Sequence, residues 1–250
     1  MSVTSALAGA LSGLSATARQ AEILSSNVAN ATTPGYARRQ VSLGSAVLAG
    51  QGQGVQVLGV TRDVDRYLLG ERRIAQAGSG DRDVRAEFLT RVEQALGTPD
   101  SAGSLAARLA AFDQALVEAA GRPESQARLN GIATTARSLA AGLADATDAI
   151  LAARATADRQ IGDAVGTLNS TLAQLQELNV ELRSFTGAGR DISALLDKRQ
   201  QLVDQISAIV PVREVPRDLN QIALYTAGGA PLLDGSAAVI GFSTTHTITP

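Results

Sequence analysis

The residues able to do chemistry are few and badly placed for it. Three acidic pairs stand out: Asp63 with Asp65, Asp81 with Asp83, and Asp145 with Asp148. Paired carboxylates serve general acid–base catalysis or hold divalent cations. Each pair lies in a polar, Arg-containing stretch without a neighbouring His or a Gly-rich ligand loop. A calcium loop needs several oxygen donors within about twelve residues and a closing Glu. Asp81, Asp83 and Glu87 do not supply them, so the pairs read as helix caps or solvated helix faces. The single His is His246, near the end of the chain, and there is no Cys. That excludes disulfides, Cys-ligated zinc, iron–sulfur sites, thiol nucleophiles and any His pair. Gly50-Gln51-Gly52-Gln53-Gly54 has the glycines of a phosphate loop. It leads into a strand-like run, however, and lacks a Lys-Ser/Thr pair. Arg38-Arg39 is a small basic spot, a weak signal for phosphate. No catalytic, cofactor-binding or metal-binding residue is assigned, no cofactor is implied, and the chain is expected not to be an enzyme.

Composition agrees with that expectation. Of 250 residues, 45% are hydrophobic but only 3% aromatic; 45 are Ala, and Lys198 is the sole Lys among 22 basic residues. A core of Ala, Leu, Val and Ile points to close-packed helices. The net charge of −2 provides no field to gather nucleic acid, and few rings are present to stack bases. No run of about 20 apolar residues exists to cross a membrane. Residues 1–18 carry no charged side chain and include the A-x-A triplets Ala6-Leu7-Ala8 and Ala16-Thr17-Ala18, but they lack the basic n-region and continuous apolar core of a signal peptide.

The elements that would position any site are mostly helical. Val3, Leu7, Ala10, Leu14, Thr17, Ala21, Leu24 and Val28 recur at alternating spacings of four and three, a heptad seam on one helix about 40 Å long. Pro34 ends that helix, and Pro34-Gly35 suits the centre of a type II turn. Alternation at Val41 and Leu43, then at Val55 and Val57, predicts a long hairpin or arm. Helical patterns follow. One is capped by Asp63 or Asp65 and runs to about Leu96, with a possible break at Gly78-Ser79-Gly80. A second bears Leu105, Leu109, Phe112 and Leu116. A long one runs from about Glu124, with Pro123 in its first turn, to Phe185. The last spans about 192–210. The long helix has a seam of Ile161, Val165, Leu168, Leu172, Leu175, Asn179 and Leu182, in which Asn179 is expected to fix register. After Pro211, short apolar runs through Val239 and Ile240 and the turn signals Gly228-Gly229 and Asp234-Gly235 predict strands. The expected class is mainly α. It comprises a rod-like bundle of long helices, an N-terminal coiled-coil-forming helix, an extended β arm and the beginning of a small β domain. The boundaries are 1–35 for helix and turn, 36–62 for the arm, 63–210 for the helical bundle and 211–250 for the β-rich part, which is expected to be truncated.

Asn27-Val28-Ala29-Asn30-Ala31-Thr32-Thr33-Pro34-Gly35-Tyr36 resembles the N-terminal signature of the flagellar rod/hook axial protein family. Asn27, Asn30, Thr33, Pro34, Gly35 and Tyr36 carry it. Asn27 and Asn30 can bond backbone where the helix ends, and Tyr36 can anchor the arm. Gly52 to Val57, then Val60 to Leu68, are similar to the segment that follows the signature in the family's hook-associated members. A second run, Leu196-Asp197-Lys198-Arg199-Gln200-Gln201-Leu202-Val203, matches their Leu-Asp-x-Arg-x-x-Leu-Val pattern at Leu196, Asp197, Arg199, Leu202 and Val203.

The resemblance implies a structural subunit that polymerises at the hook tip, joins hook to filament and serves as the base for filament assembly. Its assembly seam would be Val3, Leu7, Leu14, Leu24 and Val28. Residues 1–34 would be poorly ordered in the monomer and would fold on assembly. Implied partners are further copies, the hook protein, the second hook-associated junction protein, an export chaperone and the type III export apparatus. Nucleic acid and membrane insertion are not implied, and the implied location is the secreted, extracellular flagellum. Family members end with a C-terminal helix that pairs with the N-terminal one, and this sequence shows none, so an N-terminal portion is expected. Two other readings stay open on the residues alone. One is a coiled-coil scaffold unrelated to flagella. The other is a different axial protein, of the hook or rod.

Overall fold

The computed structural model describes residues 3–48 and 51–245. His246, Thr249, Pro250 and Gly50 lie outside the described residues. In chain order the elements are α1 (Val3–Ala29), β1 (Arg39–Leu48), β2 (Gln51–Arg62), α2 (Arg66–Leu96), α3 (Leu105–Ala120), α4 (Gln126–Gly187), α5 (Ser193–Ile209), β3 (Val212–Pro216), β4 (Ile222–Thr226), β5 (Pro231–Asp234) and β6 (Ser236–Ala237). The class is mainly α with small antiparallel sheets.

The arm is the antiparallel pair β1–β2, with Val41 opposite Val60 and Leu43 opposite Val57. Register shifts fall between Ser42 and Leu43 and between Ser45 and Val47. A two-stranded ribbon alone is marginal in water, and α1 packs against this one. Ser12 Oγ accepts a 3.1 Å bond from the Val55 N–H. Gly54 has φ +102, and a Cβ there would lie 2.1 Å from Ser12 Oγ and 2.9 Å from Gly9 Cα. Glycine is therefore what lets strand and helix backbones meet.

Contacts divide the chain into two compact units. One is Met1–Gly78 with Thr167–Val239; the other is Ser79–Gly166 with Ile240–Pro250. α2 and α4 each run through this division. The expected break at Gly78-Ser79-Gly80 is absent, and α2 is continuous. A helical glycine costs about 1 kcal/mol relative to alanine, and the hydrogen bonding of a 31-residue helix carries both. Pro123 does not open α4. It lies in a turn closed by the Ser125 N–H on Arg122 O, and the helix begins at Gln126.

In the first unit the core is made by Leu168, Leu172, Leu175, Leu178 and Leu182 of α4, Leu202, Val203 and Ile206 of α5, and the inward residues of the sheet β3-β4-β5-β6. Each such aliphatic side chain contributes roughly 1.5–3 kcal/mol by leaving water. Asn179 sits in this seam but does not pair helices. Its Nδ2 donates to Ile222 O at 2.8 Å and its Oδ1 accepts from the Ile222 N–H at 3.2 Å. A buried amide has one donor side and one acceptor side, and a free strand position offers the matching pair, so Asn179 pins β4. Gln176 Oε1 accepts from the Ala237 N–H at 2.6 Å in the same way. Val239 and Ile240 are not in a strand.

In the second unit Ser104 caps α3, accepting from the Ala107 N–H at 3.1 Å. The fully buried apolar residues described there are Ala119 and Ala146. Small side chains let the helices approach closely.

Candidate functional site

The signature residues gather at the end of α1. Asn27 Oδ1 accepts from the Arg39 N–H and from Tyr36 OH, both at 2.9 Å, while its Nδ2 donates to Arg39 O at 2.9 Å. Asn27 thus gives β1 the partner that a neighbouring strand would give. Ser26 Oγ lies 3.2 Å from Tyr36 OH. Asn30 Nδ2 donates to Ser26 O at 3.0 Å, and its Oδ1 accepts from Thr33 Oγ1 at 3.2 Å. The Tyr36 N–H on Thr33 O closes a turn with Pro34 and Gly35 at its centre, and Gly35 has φ +79. The Arg39 guanidinium stands 4.9 Å above the Tyr36 ring, a cation–π contact.

The second motif comes to the same place. Asp197 is buried on α5 and collects three donors from the arm. Its Oδ1 accepts from the Ala37 N–H at 3.2 Å and from Arg62 Nε at 2.9 Å, and its Oδ2 accepts from Arg39 Nη2 at 2.6 Å. One helical turn on, Gln201 Nε2 donates to Pro34 O at 2.7 Å. Asp197 and Gln201 therefore face the arm, while Leu202 and Val203 face the core. Arg199 Nη1 donates to Asn220 O at 2.6 Å, and its Nη2 lies 3.9 Å from Glu214 Oε1. Burial, with Arg62, Arg66 and Arg73 crowding it, holds Arg199 below the usual arginine range against the pull of Glu214. Leu196 lines an open groove on the adjoining surface.

Several participants were not legible beforehand. Arg39 belongs to the basic spot read as a phosphate candidate; instead it is committed to Asp197. Arg73 is buried and holds Asp204 at 2.6 Å and Glu214 at 3.0 Å. Of the two capping candidates, Asp65 caps α2 through the Leu68 N–H at 3.0 Å. Among the described residues no group of His, Asp and Glu could hold a metal ion. The pair Asp81 and Asp83 sits on an exposed face where Asp81 bonds Arg85.

The predicted seam residues are brought to no partner. Val3, Leu7, Leu14, Leu24 and Val28 are 60–87% exposed. The opposite face, with Ala16 and Ile23, is the buried one. No described helix is long and apolar enough to cross a membrane.

The N-terminal helix, with its open apolar seam, is fastened through an Asn–Tyr–Arg–Asp network to a helical body, and the network is built on the residues that resemble the flagellar axial signature. More narrowly, the chain belongs to the family of the flagellar hook-associated protein FlgK helical domain, whose model matches residues 89–247. The flagella basal body rod protein family matches residues 7–36. Flagellar hook-associated protein 1 of Salmonella typhimurium is 30% identical over 240 residues, covering 92% of this chain and 42% of that protein. The protein of the same name from Escherichia coli K12 is 29% identical over 247 residues, covering 94% and 44%. That from Bacillus subtilis is 27% identical over 215 residues, covering 81% and 42%. The chain therefore spans about two fifths of the length of these relatives. The solved structure of the flagellar hook junction protein FlgK from Burkholderia pseudomallei shares the fold. Its TM-score is 0.60 at 22% identity, over 66% of this chain and 29% of that one. These findings support a structural flagellar role, not an unrelated scaffold or a hook or rod protein.

Proposed function

We propose that this chain works at the hook–filament junction, polymerising at the hook tip and forming the base on which filament assembly starts. The observation that carries this reading is the open seam of α1 above a fixed base. Assembly needs an apolar helix face that is free in the single subunit and a joint that sets its direction. Among the described side chains of α1 only Ala16 and Ile23 are fully buried. An isolated helix gains little rigidity from so small a contact. Residues 3–34 are thus poorly ordered in the free subunit, pass unfolded through the type III export apparatus, and fold when neighbouring helices cover Leu7, Leu14, Leu24 and Val28. The arm, 36–62, carries that helix inward from the helical body. The partners are further copies, the hook protein and the second junction protein, with an export chaperone before assembly, and the location is the extracellular flagellum. The role is mechanical and involves no catalysis.

The test is electron microscopy of negatively stained cells of the native host with the gene deleted. Hooks without filaments, with flagellin lost to the medium, are expected. Intact filaments would remove the junction role, and missing hooks would move the protein to the rod or hook. Hydrogen exchange on the purified chain should show residues 3–34 unprotected and the core part of α4 protected.

A further inference from the structure

The first unit contains a groove of about 720 Å³ formed by α2, α5 and β3. Five arginines line it, Arg62, Arg66, Arg73, Arg199 and Arg213, against two carboxylates, Glu71 and Glu214. The internal pairing is incomplete. Arg62 is held by Asp197 and Arg73 by Asp204. Glu214 is divided between Arg73 at 3.0 Å and Arg199 at 3.9 Å. Arg66 and Arg213 are exposed and make no ion pair among the described residues. Between the charges the lining is apolar, with Leu69, Ile74, Leu196 and Val212. Tyr67, also of the lining, is 78% exposed. Such a surface takes carboxylates arranged around an apolar side chain, since guanidinium groups pair with carboxylates in fixed fork geometry.

The same chain presents that arrangement elsewhere. Along α4 the buried face is Leu175, Leu178 and Leu182, and the outward stripe is Glu177, Val180 and Glu181. Val180 is 54% exposed on that stripe. Neither Glu177 nor Glu181 makes an ion pair among the described residues. At spacings of three and four these residues share one helix face. No α4 residue lines the groove, so knob and groove are different surfaces. A contact between unlike surfaces of identical copies is heterologous and propagates into rings or helical arrays.

We propose that the Glu177–Val180–Glu181 knob of one copy seats in the arginine groove of the next, with Arg66 and Arg213 taking the two carboxylates. This rests on the polymerising role above and adds to it a lateral contact outside the α1 seam. The test is charge reversal in the native host, in a deletion strain carrying the gene on a plasmid. Arg66→Glu with Arg213→Glu should cut the number of filamented cells by about tenfold or more, as expected when like charges face each other in an interface. Glu177→Arg with Glu181→Arg should do the same, and all four changes together should restore filaments. Thermal melts of the purified variants, unchanged from the unaltered chain, show that folding is intact. The chain has no Cys, so Arg213→Cys with Val180→Cys, treated with a bismaleimide in isolated hooks, should give linked copies. Normal filaments from either reversal would overturn the proposal. Loss without restoration and without cross-links would also overturn it, and would assign the groove to a different protein. If the unaltered plasmid gene fails to restore filaments, the junction role itself fails, and that outcome is separable from the others.

Discussion

Replacing Asp197 should release the arm from the helical body. Among the described residues its carboxylate is the only acidic group bonded to Arg39 and Arg62, and all three side chains are 11–17% exposed. Solvent therefore screens them little. Asp197→Ala leaves two guanidinium groups without a counter-charge, a loss of about 3–5 kcal/mol for a broken buried pair. Asp197→Asn keeps an acceptor for the Ala37 N–H and removes only the charge. It should cost about 1.5–3 kcal/mol, the range for a hydrogen bond to a charged group. In thermal unfolding of the full chain the first loss corresponds to a drop of about 6–20 °C for a protein of this length. Hydrogen exchange should place the loss in β1 and β2, with α3 unaffected. The control is a double-mutant cycle. With Arg39 and Arg62 both changed to Met, Asp197→Asn should cost under about 1 kcal/mol, because the interaction is gone. If Asp197→Ala costs less than about 1 kcal/mol in the unaltered background, or costs the same with both arginines removed, the anchor argument is wrong.

Three further outcomes follow from the geometry. Gly35→Val must adopt φ near +79 and place a Cβ 2.4 Å from Gln201 Cγ; it should cost about 2–4 kcal/mol, combining left-handed strain with loss of the Gln201–Pro34 bond, and should block filament formation while circular dichroism shows the helices retained. Leu14→Asp, at a position 69% exposed, should leave the stability of the free chain within about 0.5 kcal/mol of unaltered yet abolish assembly, which motility assays and electron microscopy would read. In the sheet, Arg217 and Tyr225 hydrogen-bond Asp234, lowering its carboxyl, while the bond to Asp234 raises the Tyr225 phenol. The Asp234 contribution is then present above the unfolded carboxyl range and lost as pH falls through the folded value; the Tyr225 contribution is present below about 10 and lost as pH rises past its folded value. Asp234→Asn should remove both ends of this pH dependence, measured as melting temperature against pH.

Much of the fold could be read from periodicity. Val3 to Val28 repeats at three and four, and α1 ends at Ala29, beside the expected boundary. The arm follows from alternation at Val41, Leu43, Val55 and Val57, and α3 from its leucine stripe. These are local patterns, and local geometry governs them. What could not be read is pairing across the chain. Asp197 meets Ala37 and Arg39 from 160 and 158 positions away, and no spacing rule links one acid to two arginines at that separation. Asn179 failed for a related reason. Its place in a heptad is visible, but whether it bonds a helix or a strand depends on which element covers it. The glycines of α2 mark where contacts change units without breaking the helix, because backbone continuity and side-chain contact are decided by different energies.

The two motifs gain their meaning together. A turn alone would set only the local path of the chain at Pro34-Gly35. An acidic residue alone on α5 would be a solvated charge. Joined, they fix the direction of α1 at its C-terminal end by polar bonds. Over the rest of its length the helix keeps little buried surface, and apart from Ile23 its large apolar side chains remain in water. Burial of five such side chains can contribute on the order of 10 kcal/mol, which offsets part of the conformational entropy lost when the segment is ordered. In the proposed role that gain is withheld until neighbouring subunits arrive. A stronger seam contact within the single chain would satisfy α1 too early. A weaker base would leave the incoming helix without direction. The distribution of polar fastening at one end and open apolar surface along the other is therefore what a subunit that folds into its polymer requires.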